Sequence, residues 1–200
     1  MDKPGYISVP LEPEMPAAEI TFLRQAYDQA QVILEYGSGG STVVAASQPN
    51  KLIFAVESDP KFLCRLNTYL MQLRSGSRAI PYHVDIGPVG KWGRPSDTSA
   101  WKQYPDYARA IWEQDFFVQP DTVLIDGRFR VACFLVCATL TRRPPTLLFD
   151  DYAPRPRYHV VERLARPVKQ VGRMAVFHLR PGEVDPRELL SLSPSLYDPA

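Results

Sequence analysis

The sequence predicts an α/β fold: a doubly wound, mostly parallel sheet with a C-terminal antiparallel hairpin. Three observations predict it. Five short apolar runs, at 31–35, 52–57, 80–85, 122–126 and 146–150, alternate with segments of helical character. Strands separated by helices imply parallel pairing through crossovers. The runs at 52–57 and 122–126 are apolar almost throughout, as parallel strands covered on both faces are. Last, two short runs at 169–171 and 175–179 flank Gly172-Arg173, close enough in sequence to form a hairpin.

In chain order, residues 1–16 are Pro-rich and without periodicity, and read as an arm. Ile20, Leu23, Ala26 and Tyr27 share one face of a helix expected at 17–30. A helix is expected at 41–48, stopped by Pro49-Asn50. Ser58-Asp59-Pro60 then opens a helix expected to reach about residue 75, with Ser58 or Asp59 near the cap and Pro60 in the first turn. Residues 86–120 break the rhythm with Gly87, Pro88, Gly90, Trp92, Gly93 and Pro95, followed by Trp101, Tyr104, Tyr107 and Trp112. A connection of that length is either a lid or binding loop, or an excursion anchored by its aromatics. Helices are expected at 129–142 and 157–164, and 181–200 reads as a polar tail with one Leu-rich turn. The whole chain, 1–200, reads as one domain.

Composition narrows the function classes. A net charge of +1, with 22% charged and 45% hydrophobic residues, offers no bulk field for nucleic acid or a membrane surface. The longest apolar run, 131–140, is too short to cross a bilayer, and the N-terminus has no signal-peptide pattern. Cys64, Cys133 and Cys137 form no CxxC and no even framework, which fits buried thiols in a reducing cytoplasm.

Each predicted parallel strand ends in an acid: Glu35, Glu57, Asp85, Asp126 and the pair Asp150-Asp151. In an open parallel sheet the ligand crevice lies beyond those strand ends. An acid at such a position also serves as a cap of the following helix, but five share one sheet edge. The first strand runs into Gly37-Ser38-Gly39-Gly40-Ser41-Thr42, a Gly-rich turn entering a helix. Such a turn lets a ligand approach the backbone and offers free N–H groups. Two ligands compete for it. A dinucleotide fingerprint needs a third glycine where Thr42 stands, and Glu35 is poorly placed beside a pyrophosphate. A cationic ligand tolerates that acid better.

The stretch Glu35-Tyr36-Gly37-Ser38-Gly39-Gly40-Ser41-Thr42 resembles the acid-x-Gly-x-Gly turn of the class I S-adenosylmethionine-dependent methyltransferases. Glu57 ending the second strand, Asp85 after the third, and the terminal hairpin extend the resemblance over roughly 30–180. It implies a Rossmann-like fold of seven strands with S-adenosylmethionine as cofactor. The implied cofactor-binding set is Glu35, Gly37, Ser38, Gly39, Ser41, Thr42, Glu57, Ser58, Asp85 and Asp126, with Glu57 on the ribose hydroxyls and Asp85 near the adenine. A carboxylate accepting two hydrogen bonds suits a vicinal diol.

A narrower resemblance is to O-methyltransferases of the catechol type, which implies Mg²⁺ on Asp126, Asp150 and Asp151. The second residue of the strand-five pair is Asp151 rather than an amide, which departs from that pattern. The competing expectation pairs these acids with Arg128, Arg130, Arg155 or Arg157, or makes them helix caps. Candidates for catalysis are Asp126, Arg128, Asp151 and His159: an acid or imidazole as general base, and arginine for an anionic substrate. Arg128 and Arg130 read equally as a solvated helix start. His83 and His178 read as structural. The reading is methyl transfer to a small-molecule acceptor, at oxygen, with neither nucleic acid nor membrane as partner. The alternatives are a non-catalytic binding protein on the same fold and a nicotinamide-dependent oxidoreductase.

Overall fold

The computed structural model describes residues 12–74 and 76–200. Most of the expected arm, 1–11, and residue 75 lie outside the described residues. Among the described residues seven strands form one sheet: β1 (Val32–Tyr36), β2 (Leu52–Glu57), β3 (Arg78–His83), β4 (Thr122–Ile125), β5 (Thr146–Phe149), β6 (Lys169–Val171) and β7 (Met174–His178). Their order is β3-β2-β1-β4-β5-β7-β6. The first five pair in parallel, and β7 runs antiparallel to both β5 and β6. The order reverses between β1 and β4, the switch point at which open α/β sheets hold ligands.

Strand alternation sorts side chains between two cores. In β1, Ile33 faces the layer holding α1 (Ala17–Gln29), α2 (Gly40–Ser47) and α3 (Pro60–Leu70), while Leu34 and Tyr36 face the other layer. That second layer holds α4 (Tyr104–Arg109), α5 (Arg130–Leu140) and α6 (Pro186–Leu192). On α1, Leu23 and Tyr27 are buried completely, with Ile20 and Ala26 packed beside them. Pro81 interrupts the donors of β3 at no loss, because β3 is an edge strand.

Three expectations change. The helix opened by Pro60 stops at Leu70, its last buried apolar position; Met71 beyond it is 80% exposed. Asp59 is its cap, accepting from the N–H groups of Lys61 and Phe62 at 2.9 and 3.0 Å. Residues Pro156–Arg163 form a 3-10 helix rather than an α-helix. Its buried residues, Tyr158 and Val161, are three apart, the spacing that stacks side chains in a 3-10 helix. The 181–200 segment is not a loose tail. It forms α6 and a 3-10 turn over Ser193–Tyr197 that pack on α5 and α4.

The 86–120 segment is the β3-to-β4 crossover and divides into two parts. Tyr104, Tyr107, Ala108 and Ile111 are buried in the core. The Tyr36 hydroxyl donates to the Ala108 carbonyl at 2.6 Å and accepts from the Trp112 indole at 2.6 Å. Residues 88–96 instead form a compact excursion closed by bonds from the N–H of Gly90 to Arg94 and of Ser96 to Pro88. Trp92 and Trp101 are 63% and 48% exposed.

Candidate active site

The turn between β1 and α2 is set by a buried carboxylate behind it. Glu35 is fully enclosed. One oxygen accepts from the Tyr27 hydroxyl at 2.5 Å, and the other is held by the Thr42 hydroxyl. Thr42 Oγ1 in turn accepts from the Gly39 N–H at 3.0 Å. Burial pushes the Glu35 carboxyl up to about 7, against the opposing bonds from Thr42, Tyr27 and Ser41. Glu35, Ser41 and Thr42, all expected at the ligand, are thus buried behind the turn and hold its shape.

The turn is narrow on one side and open on the other. Gly37 has φ +95°, and a Cβ there would lie 2.6 Å from Gly127 of the loop after β4. Only glycine meets both demands. A Cβ on Gly39 would meet nothing within 4 Å, so the backbone there faces open space.

Glu57, at the end of the neighbouring β2, is 8% exposed. One oxygen accepts from the N–H groups of Ser58 and Asp59 at 2.8 and 3.0 Å. The other accepts from Ser38 in the turn, at 3.1 Å from its hydroxyl and 3.4 Å from its N–H. The Ser58 hydroxyl donates to the Gly93 carbonyl at 2.9 Å, which draws the 88–96 excursion over this carboxylate. Asp85 is exposed and accepts from the Gly87 N–H at 2.8 Å. It borders a cavity of about 290 Å³ that Tyr82, His83, Gln103 and Asp106 also line.

No family model matches the sequence, and no curated protein matches it. Solved structures do. A methyltransferase-like protein from Silicibacter pomeroyi is 45% identical, over 95% of this chain and 100% of its own, with a TM-score of 0.88. The chain belongs to the class I S-adenosylmethionine-dependent methyltransferases. Two more distant structures share the fold. The O-methyltransferase TomG from Streptomyces achromogenes, in complex with S-adenosylmethionine, is 17% identical over 84% of this chain and 82% of its own, with a TM-score of 0.55. An O-methyltransferase from Bacillus cereus, in complex with S-adenosylhomocysteine, is 16% identical over 84% and 83%, with a TM-score of 0.56.

In this methyltransferase the acids after β4 and β5 face arginines. Asp126 accepts from Arg130 at 3.0 Å. Asp150, 1% exposed, accepts from Arg173 at 3.1 and 3.3 Å. Asp151 has φ 57° and lies 2.6 Å from Arg155 and 3.0 Å from Arg173. Among the described residues, no group of three or more His, Cys, Asp or Glu side chains is disposed to hold a metal. The donor set of Asp126, Asp150 and Asp151 therefore does not fit Mg²⁺: its oxygens are directed to guanidinium groups, whose charge offsets theirs. Arg173 lies in the hairpin, outside the set of arginines that the sequence offered as partners.

The two arginines after β4 have opposite fates. Arg130 is buried and donates to the carbonyls of Gly127, Asp126 and Asp150, tying the ends of β4 and β5 together. Arg128 forms no ion pair among the described residues, and its Nε is buried without a hydrogen-bond partner. Asp126 keeps 34% of its side chain exposed; partial burial, with Asp150 and Asp151 adding and Arg130 opposing, raises its carboxyl above the usual carboxylate range. His159 is held against Tyr152. Its Nε2 lies 3.2 Å from the Tyr152 carbonyl and its ring packs 4.6 Å from the Tyr152 ring. Tyr107, which the sequence left open between a lid aromatic and an anchor, is buried, and its hydroxyl accepts from the Arg128 N–H at 3.3 Å.

Proposed function

We propose that the protein catalyses transfer of a methyl group from S-adenosylmethionine to an oxygen of a small acceptor. The observation that carries this reading is the pairing of an open Gly39 backbone with the Glu57 carboxylate at adjacent strand ends. Glu57 and Ser38 fit the ribose hydroxyls, since a diol can replace the Ser38 contact with two hydrogen bonds to one carboxylate. Among the described residues no side chain caps the start of α2, which suits a ligand carboxylate at the Gly39 turn, and the cavity beside Asp85 suits the adenine. Bound there, S-adenosylmethionine supplies an electrophilic methyl on a sulfonium.

Asp126 is the residue suited to take the acceptor's proton. It is partly exposed at the end of β4, and the upward shift of its carboxyl moves it toward the strength a general base needs at neutral pH. The rest of the chain's share is positioning, with the Gly37–Gly127 contact fixing the two loops against each other.

Calorimetric titration with S-adenosylhomocysteine tests the reading. Glu57→Gln keeps an acceptor for Ser58 and Asp59 but loses the charge, so affinity should fall ten- to a hundredfold, about 1.4–2.8 kcal/mol. Well-folded wild-type protein that binds neither S-adenosylmethionine nor S-adenosylhomocysteine would refute it.

A further inference from the structure

We propose that the acceptor carries an anionic group, a carboxylate or a phosphate, and that Arg128, with Arg94 near it and Arg157 on the adjoining Tyr158 ring, forms the subsite that binds it. This rests on the methyl-transfer reading and on which guanidinium groups of the crevice lack a carboxylate. Asp126, Asp150 and Asp151 are matched by Arg130, Arg155 and Arg173. Among the described residues Arg94, Arg128 and Arg157 have no such partner. Their guanidinium charge is therefore not taken up by the acids after β4 and β5.

Arg128 stands on a fixed backbone. It follows Gly127, which packs against Gly37 of the cofactor turn. It precedes Phe129, held left-handed at φ 52° with its ring against Tyr104 and Tyr107. A non-glycine residue in that region is strained, and such strain gathers at functional sites. The buried Nε without a partner is a donor that an anionic oxygen would satisfy. The other two arginines come from distant segments. Arg94 is brought in by the 88–96 excursion and, with Arg130, lies near enough to Arg128 to act on its charge. Arg157 packs its guanidinium 5.1 Å from the centre of the Tyr158 ring and lies 3.4 Å from its hydroxyl, which also accepts from Arg155 at 3.2 Å. Planar guanidinium donors in this arrangement match the paired oxygens of a carboxylate or phosphate.

The test titrates benzoate, inorganic phosphate and neutral benzamide into the protein, with and without S-adenosylhomocysteine, at low and high salt. The expected result is binding of one anion or both, weakened by salt, with no binding of benzamide; the tighter anion names the class. Arg128→Gln should weaken anion binding at least tenfold and leave S-adenosylhomocysteine affinity unchanged, while Arg163→Gln, paired with Glu188 at the surface, changes neither. If Arg128→Gln fails to fold, the double change Arg94→Gln, Arg157→Gln at two exposed positions should give the same tenfold loss. Absence of anion binding by wild type, equal binding by the variants, or loss of S-adenosylhomocysteine affinity in Arg128→Gln would each overturn the proposal. Anion binding in a protein that ignores S-adenosylhomocysteine would instead remove the methyl-transfer reading and leave the subsite standing.

Discussion

At the scale of single residues, the site is governed by what surrounds each acid. Glu35 and Glu57 both end parallel strands, yet one is sealed behind the turn and the other faces it. Their strand positions explain this, because Glu35 points with Ile33 toward α1 and α2. A buried acid raised to about 7 binds its proton more tightly folded than unfolded. Its contribution is fully present below pH 4.5 and is lost as pH rises toward 7, on the order of 3 kcal/mol in all. Glu35→Gln should remove that falling component, which denaturant melts from pH 4.5 to 8 will read; an unchanged profile contradicts the assignment. Gly37→Ala joins left-handed strain to a 2.6 Å collision with Gly127. It should destabilise the fold by about 3 kcal/mol and abolish cofactor binding, as thermal melts and calorimetry will show.

At the scale of elements, the β6–β7 hairpin does more than close the sheet. At its tip, the Arg173 N–H donates to Glu19 at 2.6 Å, and its guanidinium reaches Asp150, Asp151 and the Glu14 carbonyl. Gly172 before it has φ +56° and no room for a Cβ, which would lie 2.3 Å from Glu19. One residue thus locks α1, the end of β5 and the described end of the arm. Arg173→Ala leaves Glu19 and Asp150 buried and uncompensated, a loss of about 3 kcal/mol by analogy with broken buried pairs. Adding Asp150→Asn should recover part of it, and a double-mutant cycle with no coupling would show that the pair contributes nothing.

At the scale of the whole molecule, ligand binding and folding are linked. S-adenosylhomocysteine at a hundredfold its Kd should add about 2.7 kcal/mol. For a chain this size that raises Tm by roughly 5–10 °C. Millimolar Mg²⁺ or a chelator should leave Tm and cofactor affinity unchanged, because the acids after β4 and β5 are matched by arginines. A Mg²⁺-dependent rise in either would restore the metal reading.

Apolar runs, glycines and caps are local signals, and from them the strands, the Gly-rich turn, a cap at Ser58 or Asp59 and the hairpin were legible in the chain alone. The sequence also placed Glu57 and Asp126 at one sheet edge. Only the tertiary structure decided which acids face open space and which face arginines. Arg173 meets Glu19 across 154 positions, and Arg94 nears Arg128 through an excursion with no periodicity to read. Burial and ion pairing depend on which segments the topology brings together, and a charged residue carries no mark of its eventual partner.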